Sequence, residues 1–362
     1  MNAVSEKQFI DKHTKNFEAI GFCNRFLQKN VPRYIFCRNQ WGKSIAGVID
    51  VDGFVDEFTS DSEFSGKLIV PIGDISKEAL VVSSVVLGRP LSSQKRIIEK
   101  GLRGLDYFAF KKYSGLHLDQ VLFLDSFADE FDVNRERYEW VYGILSDSES
   151  KQVLQSLLNF RLSHDLTYME GFTDAQYRQY FEEFLGLGDG TEIFLDVGCF
   201  DGYTSLEFIS RYPEYKEIHV FEPDPNNMSK VRSRLAQYPA VIYHQFGCSN
   251  RAQILRLSSQ GSSSKVSENG DCEIQVARID DLVTSPYTFL KMDIEGYELQ
   301  ALEGACGSIK NHHPVLAISV YHKIDDIWRI PELILNIRSD YNVYLRHYTE
   351  GVTETVMFFV PV

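Results

Sequence analysis

The second half of the chain alternates between apolar runs of strand length and segments with helical spacing. This alternation begins at Ile193 and is typical of a parallel sheet covered by helices. Two further runs, Ile254–Leu257 and Glu273–Ile279, predict a hairpin inserted after the third strand, with the polar stretch Ser258–Asp271 as its loop. The predicted strands of the main sheet are Ile193–Val197, Ile218–Phe221, Val241–Gln245, Thr288–Met292, Val315–Val320, Val343–His347 and Thr355–Val360.

The first 120 residues show a shorter version of the same alternation. After a helical lead over residues 1–30, a helix is predicted over Ser92–Lys100, and β-rich runs are predicted as strands over Arg33–Cys37, Ala46–Val51, Lys67–Pro71, Leu80–Leu87 and Asp106–Phe110. This pattern predicts a small Rossmann-like α/β unit. Its first turn, Cys37–Lys43, has one glycine and carries Arg38 and Trp41, which would obstruct a pyrophosphate. We therefore expect a structural or partner-docking role for this unit.

The region between the two α/β units has helical spacing. Capping patterns at Ser146–Glu149 and Thr173–Gln176 precede apolar residues, and the second predicted helix carries Tyr180 and Phe181. An aromatic helix face of this kind belongs to a core more often than to a lid over a ligand. The sequence thus predicts three parts: an accessory Rossmann-like domain over 1–120, a helical bridge over 121–187 and a second α/β domain over 188–362.

Charge and composition exclude several classes of protein. The chain of 362 residues has 37 basic and 51 acidic residues, a net charge of 37 − 51 = −14, which disfavours a nucleic-acid partner. The longest apolar runs are broken by serines, so we expect no insertion into a membrane. The N-terminus lacks an apolar signal core, and the six cysteines are scattered without a Cys-x-x-Cys pair. These features predict a reduced, cytoplasmic protein.

A glycine turn follows the first strand of the second domain. The apolar strand runs through Asp196 into Gly198, Phe200, Asp201 and Gly202 before a helix begins. Two residues without a Cβ let the backbone approach a bulky ligand, and the helix start offers free N–H groups to a carboxylate. Asp196 could accept a hydrogen bond from a ligand ammonium or order the loop.

The next strand ends in an acid, Glu222, which lies 20 residues after Gly202. A carboxylate at that place can accept hydrogen bonds from both hydroxyls of a ribose. The pair predicts a nucleoside cofactor without a phosphate cradle, and S-adenosylmethionine fits this description. The predicted cofactor-binding residues are Asp196, Gly198, Phe200, Asp201, Gly202, Glu222 and Asp224. In the alternative interpretation, Asp196 only caps a turn and Glu222 is a solvated strand end.

Further polar residues follow the fourth and fifth strands of this domain. Asp293, Glu295 and Glu298 come after the fourth strand, and His322 comes after the fifth. If these strands are neighbours, Asp293 and His322 flank one crevice. Glu295 and Glu298 could instead only cap the following helix, and His322 could be a structural histidine.

Four segments resemble the FkbM-type family of S-adenosylmethionine-dependent, class I methyltransferases: Asp196–Gly202, Phe221–Asp224, Arg278–Leu282 and Lys291–Glu298. The resemblance covers roughly residues 176–362. It implies a class I methyltransferase fold, a Rossmann-like seven-stranded sheet with strand order 3-2-1-4-5-7-6. It also implies O-methylation, often of a sugar hydroxyl during synthesis of a surface glycan or secondary metabolite. The acceptor is then a small molecule or a glycan.

The resemblance gives the strand-end residues chemical roles. A hydroxyl has a water-like pKa of about 15.7, so the site must help to remove its proton. We expect His322 to be the base, neutral because its unperturbed pKa is about 6.5, with Asp293 orienting it. Alternatively, Asp293, Glu295 and His322 could hold a divalent metal that acidifies the hydroxyl. The predicted catalytic residues are His322, Asp293 and Glu295.

Two other functions stay open at this point. The first α/β unit suggests a nicotinamide-dependent oxidoreductase or epimerase, against which the absent Gly-x-Gly-x-x-Gly pattern speaks. The second is a non-catalytic binding protein of a biosynthetic cluster. The predicted cofactor site argues against it, because the site is intact at Asp196, Gly198, Gly202 and Glu222. The sequence leaves the oligomeric state open, a homo-oligomer included.

Overall fold

The computed structural model describes residues 9–10, 14–258, 265–266, 270 and 272–362. The described chain forms two compact units. The first takes in residues up to 134, then 151–176 and 347–353. The second takes in residues 135–150, 177–346 and 354–362. The segment 121–187, predicted as one helical bridge, is thus shared between both units, and each unit is assembled from three separate stretches of chain.

The first unit has a sheet of six strands in the order β3-β4-β2-β1-β5-β6. Its strands are parallel except for β3, which pairs antiparallel with β4. The elements are α1 (Phe17–Gln28), β1 (Arg33–Phe36), α2 (Gln40–Val48), β2 (Gly53–Val55), β3 (Glu63–Phe64), β4 (Lys67–Val70), β5 (Leu80–Ser83), α3 (Pro90–Glu99), β6 (Arg103–Asp106), α4 (Tyr107–Ser114), α5 (Leu124–Ile144) and α6 (Ser148–Ser163). Asn134 interrupts α5 with a non-helical backbone, and the second unit begins at the next residue.

Two strands predicted for the first unit are helical. The region predicted as the strand Ala46–Val51 contains the last turn of α2, which Asn39 caps by accepting from the Gly42 N–H. The region predicted as the strand Asp106–Phe110 begins α4, where the Asp106 side chain accepts from the Ala109 N–H. In both places a side-chain cap satisfies the first turn of a helix, which outweighs the β propensity of the apolar residues.

The second unit has a sheet of seven strands in the order β16-β17-β15-β14-β7-β8-β9. Numbered along the chain from β7, and without the hairpin, this order is 6-7-5-4-1-2-3. Neighbours are parallel from β9 to β15, and β17 pairs antiparallel with β15. The elements are β7 (Ile193–Val197), α7 (Tyr203–Arg211), β8 (Glu217–Phe221), α8 (Pro225–Leu235), β9 (Val241–His244), β10 (Gly247–Cys248), β11 (Gln253–Ser258), β12 (Lys265–Val266), β13 (Cys272–Ala277), α9 (Ile279–Leu282), β14 (Phe289–Met292), α10 (Glu298–Glu303), α11 (Cys306–His312), β15 (Val315–Ser319), α12 (Asp326–Ile337), β16 (Tyr341–His347) and β17 (Thr355–Pro361).

The register of the central strands aligns their carboxyl ends. Val197 is paired with Phe221 on one side and with Met292 on the other, and Met292 is paired with Ile318. The loops that follow β7, β8, β14 and β15 therefore emerge along one edge of the sheet. The strands are buried on both faces, which explains why they are continuous apolar runs in the sequence.

The helix predicted after Thr173 is absent from this stretch of the described chain. Residues 173–185 form only two short 3-10 turns, Gln176–Arg178 and Glu183–Leu185. Tyr180 lies between them with a positive φ of 72°, which no α-helix accommodates. Its hydroxyl donates a hydrogen bond to Asp293, as described below, so a specific polar contact has replaced the helical ladder.

The inserted hairpin is present and forms a small sheet of its own. Strands β11 and β13 pair antiparallel, β12 adds to β11, and β10 runs parallel to β13. Most of the predicted loop Ser258–Asp271 lies outside the described residues. Among the described residues, no helix combines the length and apolar content that crossing a bilayer requires.

One end of the seven-stranded sheet is covered by residues 135–150. Leu145 forms a parallel bridge with Val343 of β16. The hydroxyls of Ser146 and Ser150 accept from the backbone N–H groups of Val343 and Leu345, each at 2.9 Å. Arg346 adds an ion pair with Asp147 at 2.7 Å. This segment satisfies backbone groups of an edge strand, so it belongs to the second sheet although it lies far from it in sequence.

Candidate active site

The glycine loop lies against the carboxyl end of the neighbouring strand. The carbonyl oxygen of Phe221 accepts from the Gly198 N–H at 3.0 Å and from the Cys199 N–H at 3.1 Å. These bonds fix the loop beside Glu222, the residue after Phe221. The two sequence features predicted to form one pocket are therefore adjacent on the same edge of the sheet.

Glu222 is a buried carboxyl group without a positively charged partner among the described residues. Its residue is 7% exposed, and one oxygen accepts from the Asp224 N–H at 2.9 Å. No ion pair involves Glu222 within the described part of the chain. Burial raises the pKa of this carboxyl to about 7, with the hydrogen bonds from the backbone opposing the shift. A ligand that donates hydrogen bonds here would recover interactions that the carboxylate lost when it left water.

Asp196 is turned inward, beneath the loop. It is fully buried, pairs with Lys291 at 3.0 Å and accepts from the Ser205 hydroxyl at 2.7 Å. The Lys291 ammonium also donates to the carbonyl oxygen of Gly198 at 2.7 Å. Burial opposes the charge on Lys291, but Asp196 keeps the pKa of the lysine above its usual value. Of the two roles considered for Asp196, this arrangement is the one that orders the loop.

The other predicted cofactor residues surround the loop. Phe200 is 39% exposed and has a positive φ of 52°. Asp201 pairs with Arg234 at 2.7 Å and accepts from the Tyr203 N–H at 3.1 Å. Gly202 has a φ of 83° and is the N-cap of α7. Asp224 caps α8 by accepting from two backbone N–H groups. The two aspartates therefore shape helix starts, whereas Phe200 presents its ring at the surface of the loop.

Gly198 is required by a close approach of two loops. A Cβ at this position would overlap the carbonyl oxygen of Asp293 and would lie 2.8 Å from Cγ2 of Ile294. The glycine also has a φ of 79°, a conformation that residues with side chains rarely adopt. The loop after β14 thus crosses directly over the loop after β7.

Three ionisable side chains meet where β14 and β15 end. Nε2 of His322 lies 3.3 Å from Asp293 Oδ1, and Nδ1 lies 2.9 Å from Glu298 Oε1. Glu295 is farther away, with Oε2 3.8 Å from Nε2. Glu298 is 1% exposed and accepts from the Ile294 N–H at 2.9 Å. The structure thus brings Asp293 and His322 together as expected and places Glu298 closer to the imidazole than Glu295.

The charge state of His322 differs from the expectation of a neutral imidazole. Burial alone would lower its pKa, but Glu298, Asp293 and Glu295 together raise the pKa of His322 to about 10. At neutral pH the ring is then an imidazolium and has no lone pair with which to accept a proton. The expectation overlooked the carboxylates because it used the unperturbed value.

A second group of polar side chains adjoins Asp293. The Tyr180 hydroxyl donates to Asp293 Oδ2 at 2.6 Å, and Gln179 donates to both Tyr180 and Glu354. The Tyr321 hydroxyl lies 3.4 Å from Asp293 Oδ2 and 3.5 Å from Glu354 Oε1. Burial raises the pKa of Glu354 to about 7. Sequence analysis did not identify Gln179 or Glu354, because neither follows a strand of the parallel core.

Comparison with protein families identifies the second half of the chain. The family model described as the methyltransferase FkbM domain matches residues 196–348. Residues 196–348 are similar to a methyltransferase FkbM domain. The match begins at Asp196 and includes Glu222, Asp293 and His322, so it contains the site described above. It confirms the resemblance that the sequence motifs indicate. No curated protein matches the chain.

The comparison with solved structures gives one extensive likeness and further partial ones. A methyltransferase FkbM from Methylobacillus flagellatus is 22% identical, and the match covers 96% of this chain and 100% of that one with a TM-score of 0.75. An rRNA methylase from Streptococcus thermophilus is 14% identical, with 49% of this chain and 91% of that one covered and a TM-score of 0.34. The first likeness extends over both units, so the fold of the first unit also accompanies an FkbM domain in another protein.

Proposed function

We propose that the chain transfers a methyl group from S-adenosylmethionine to a hydroxyl of a small-molecule or glycan acceptor, with a sugar hydroxyl as the favoured target. The observation that carries the proposal is the buried Glu222 beside the glycine loop, on the same edge of the sheet as Asp293 and His322. We assign the glycine loop and Glu222 to the nucleoside, and Asp293 and His322 to the polar acceptor.

The residues present fit the adenosyl part of the cofactor. Glu222 is buried, lacks an ion pair in the described chain and can accept from both ribose hydroxyls. Gly198 and Gly202 keep side chains away from the loop backbone, and the exposed ring of Phe200 lies next to it. Asp196 does not reach outward, because Lys291 and Ser205 occupy it. We therefore assign cofactor binding to Glu222, the loop backbone and Phe200, with Asp196 in a supporting position.

S-adenosylmethionine, when bound, supplies an electrophilic methyl group on sulfur. The residues of the chain must align the acceptor oxygen with that group and receive its proton. Alignment alone contributes about 7–11 kcal/mol in well-oriented reactions. In the ion-free chain His322 already holds a proton, which leaves the carboxylate of Glu295, 3.8 Å from Nε2, to accept the proton of the hydroxyl. Asp293 is the weaker base, because His322 and Lys291 lower the pKa of its carboxyl despite its burial.

The side chains near Asp293 support a polyhydroxyl acceptor. The carboxylates of Asp293, Glu295 and Glu354 accept hydrogen bonds when ionised, and sugar hydroxyls donate them. Tyr180 and Tyr321 can both donate and accept at the same place. A glycan or a small sugar derivative satisfies such a surface better than an apolar acceptor does.

Calorimetry tests the cofactor assignment directly. We expect S-adenosylmethionine to bind to the purified chain with one site, and NAD to give no heat of binding. Incubation with S-adenosylmethionine and a panel of sugars should then release S-adenosylhomocysteine with some of them. Tight NAD binding without any response to S-adenosylmethionine would contradict the proposal and favour the oxidoreductase alternative.

A further inference from the structure

The cluster formed by Asp293, Glu298 and His322 has the arrangement of a cation site. One ligand atom from each of the three side chains can be chosen so that all lie within 4.8 Å of one another. Asp293 and Glu298 come from the loop and helix after β14, and His322 comes from the loop after β15. Two strands of a rigid sheet therefore fix the positions of these side chains before any ligand is present.

Two members of the cluster are buried with unsatisfied polar atoms. Oε2 of Glu298 makes no hydrogen bond within the described chain, although the residue is 1% exposed. The side chain of His322 is 8% exposed, and its ring nitrogens have only carboxylate oxygens as neighbours, Glu298 Oε1 at 2.9 Å and Asp293 Oδ1 at 3.3 Å, without hydrogen bonds of good geometry. Buried polar groups in folded proteins are almost always satisfied. The unsatisfied oxygen of Glu298, beside an imidazole that contacts only carboxylates, therefore indicates a ligand that lies between these side chains.

We propose that Asp293, Glu298 and His322 bind a divalent cation of the Mn²⁺ type, which accepts carboxylate oxygen and imidazole nitrogen together. Carboxylates are typical ligands of Mn²⁺, and neutral histidine nitrogen is a common ligand of divalent metals. Binding of the cation therefore displaces the proton that His322 carries in the ion-free chain. The remaining coordination positions are available to water or to an acceptor oxygen. Glu298 takes the place that the sequence analysis gave to Glu295.

The neighbours of the cluster fit this assignment. Tyr180 donates to Oδ2 of Asp293 and so leaves Oδ1, the oxygen that faces His322, for the cation. The Ile294 N–H donates to Oε1 of Glu298 and leaves Oε2. Such partners hold metal-binding carboxylates in one orientation. A role for the cation in polarising the acceptor hydroxyl rests on the proposed methyl transfer, whereas binding of the cation does not.

Titration with Mn²⁺, followed by electron paramagnetic resonance of the free ion, tests the site on the chelator-treated full chain without cofactor. We expect loss of free signal that corresponds to one Mn²⁺ per chain. Glu298→Gln keeps an oxygen for the Ile294 N–H but removes the charge, and should weaken binding at least tenfold. Glu303→Gln, an exposed position on the same helix, should bind as the natural chain does.

The outcomes separate this inference from the proposed function. A free Mn²⁺ signal unchanged by millimolar protein, or stoichiometric binding that survives in Glu298→Gln with a natural circular dichroism spectrum, would overturn the cation site. His322 would then be an imidazolium held by its carboxylates. Calorimetry with S-adenosylmethionine on the same samples tests the cofactor site separately, because Glu222 does not belong to the cluster.

Discussion

The environment of single side chains decides the chemistry of this site. Sequence analysis correctly placed Glu222, Asp293 and His322 at strand ends, because polar residues interrupt long apolar runs there. It could not assign the partners of Lys291 and Glu298, which look like ordinary surface charges in the sequence. Lys291 is buried against Asp196, and Glu298 is buried against His322. Such pairings depend on how segments far apart in sequence are aligned in the fold, and the spacing of residues along the chain does not predict that alignment.

The buried carboxyl of Glu222 predicts how cofactor binding depends on pH. With a pKa of about 7, the group is mostly neutral at pH 6 and mostly ionised at pH 8. Ribose hydroxyls bind better to the ionised form, so we expect S-adenosylmethionine to bind about tenfold more weakly at pH 6 than at pH 8. Glu222→Gln should weaken binding about 10- to 100-fold at pH 8 and remove the pH dependence. Calorimetry at both pH values measures this, and a Gln variant with the natural pH profile would contradict it.

The same carboxyl predicts a cost in stability. Its pKa is raised by folding, so the native state binds the proton more tightly than the unfolded chain does. The resulting stabilisation is complete below about pH 4.5 and is lost as the pH rises through about 7. Glu222→Gln stays neutral, so its melting temperature relative to the natural chain should increase between pH 5 and pH 8. Thermal unfolding without cofactor measures this. If the difference in melting temperature between the variant and the natural chain is the same at both pH values, Glu222 is not buried as described.

Secondary-structure elements were predictable where both faces of a strand are buried. All seven strands of the larger sheet were predicted within one or two residues, and the central strands β7, β8, β14 and β15 are buried, continuous apolar runs. Predictions failed where a side chain outweighs local propensity. Asn39 and Asp106 cap helices in regions predicted as strands, and Tyr180 leaves helical geometry to reach Asp293. These are contacts of single side chains, which the pattern of apolar positions does not contain.

The crossing of two loops at Gly198 gives a prediction at the scale of elements. Gly198→Ala places a methyl group onto the backbone of Asp293 in a left-handed conformation, so we expect a loss of on the order of 3 kcal/mol or more in unfolding free energy. Gly186→Ala is the matched control in the same unit, with a φ of 65° and no atom within 4 Å of the added Cβ. It should cost only about 1–2 kcal/mol. Chemical denaturation measures both, and equal losses would refute the close approach.

At the scale of the whole molecule, the two units do not follow the predicted boundaries. The second sheet needs residues 135–150 at its edge and Tyr180 at its site. A shortened chain of residues 188–362 lacks both, although it contains every strand of the seven-stranded sheet. We expect it to lose cooperative thermal unfolding, whereas a chain of residues 135–362 should retain it. Circular dichroism melts compare the two, and an equal transition in both would show that residues 135–187 are dispensable for the second sheet.

The division of the chain also has a consequence during synthesis. Residues 347–353 complete the first unit although they follow almost all of the second in sequence. Residues 347–353 must therefore be synthesised before residues 14–134 can complete the packing of the first unit. During that interval the first unit is incomplete, which is the condition under which partly folded domains expose apolar surface.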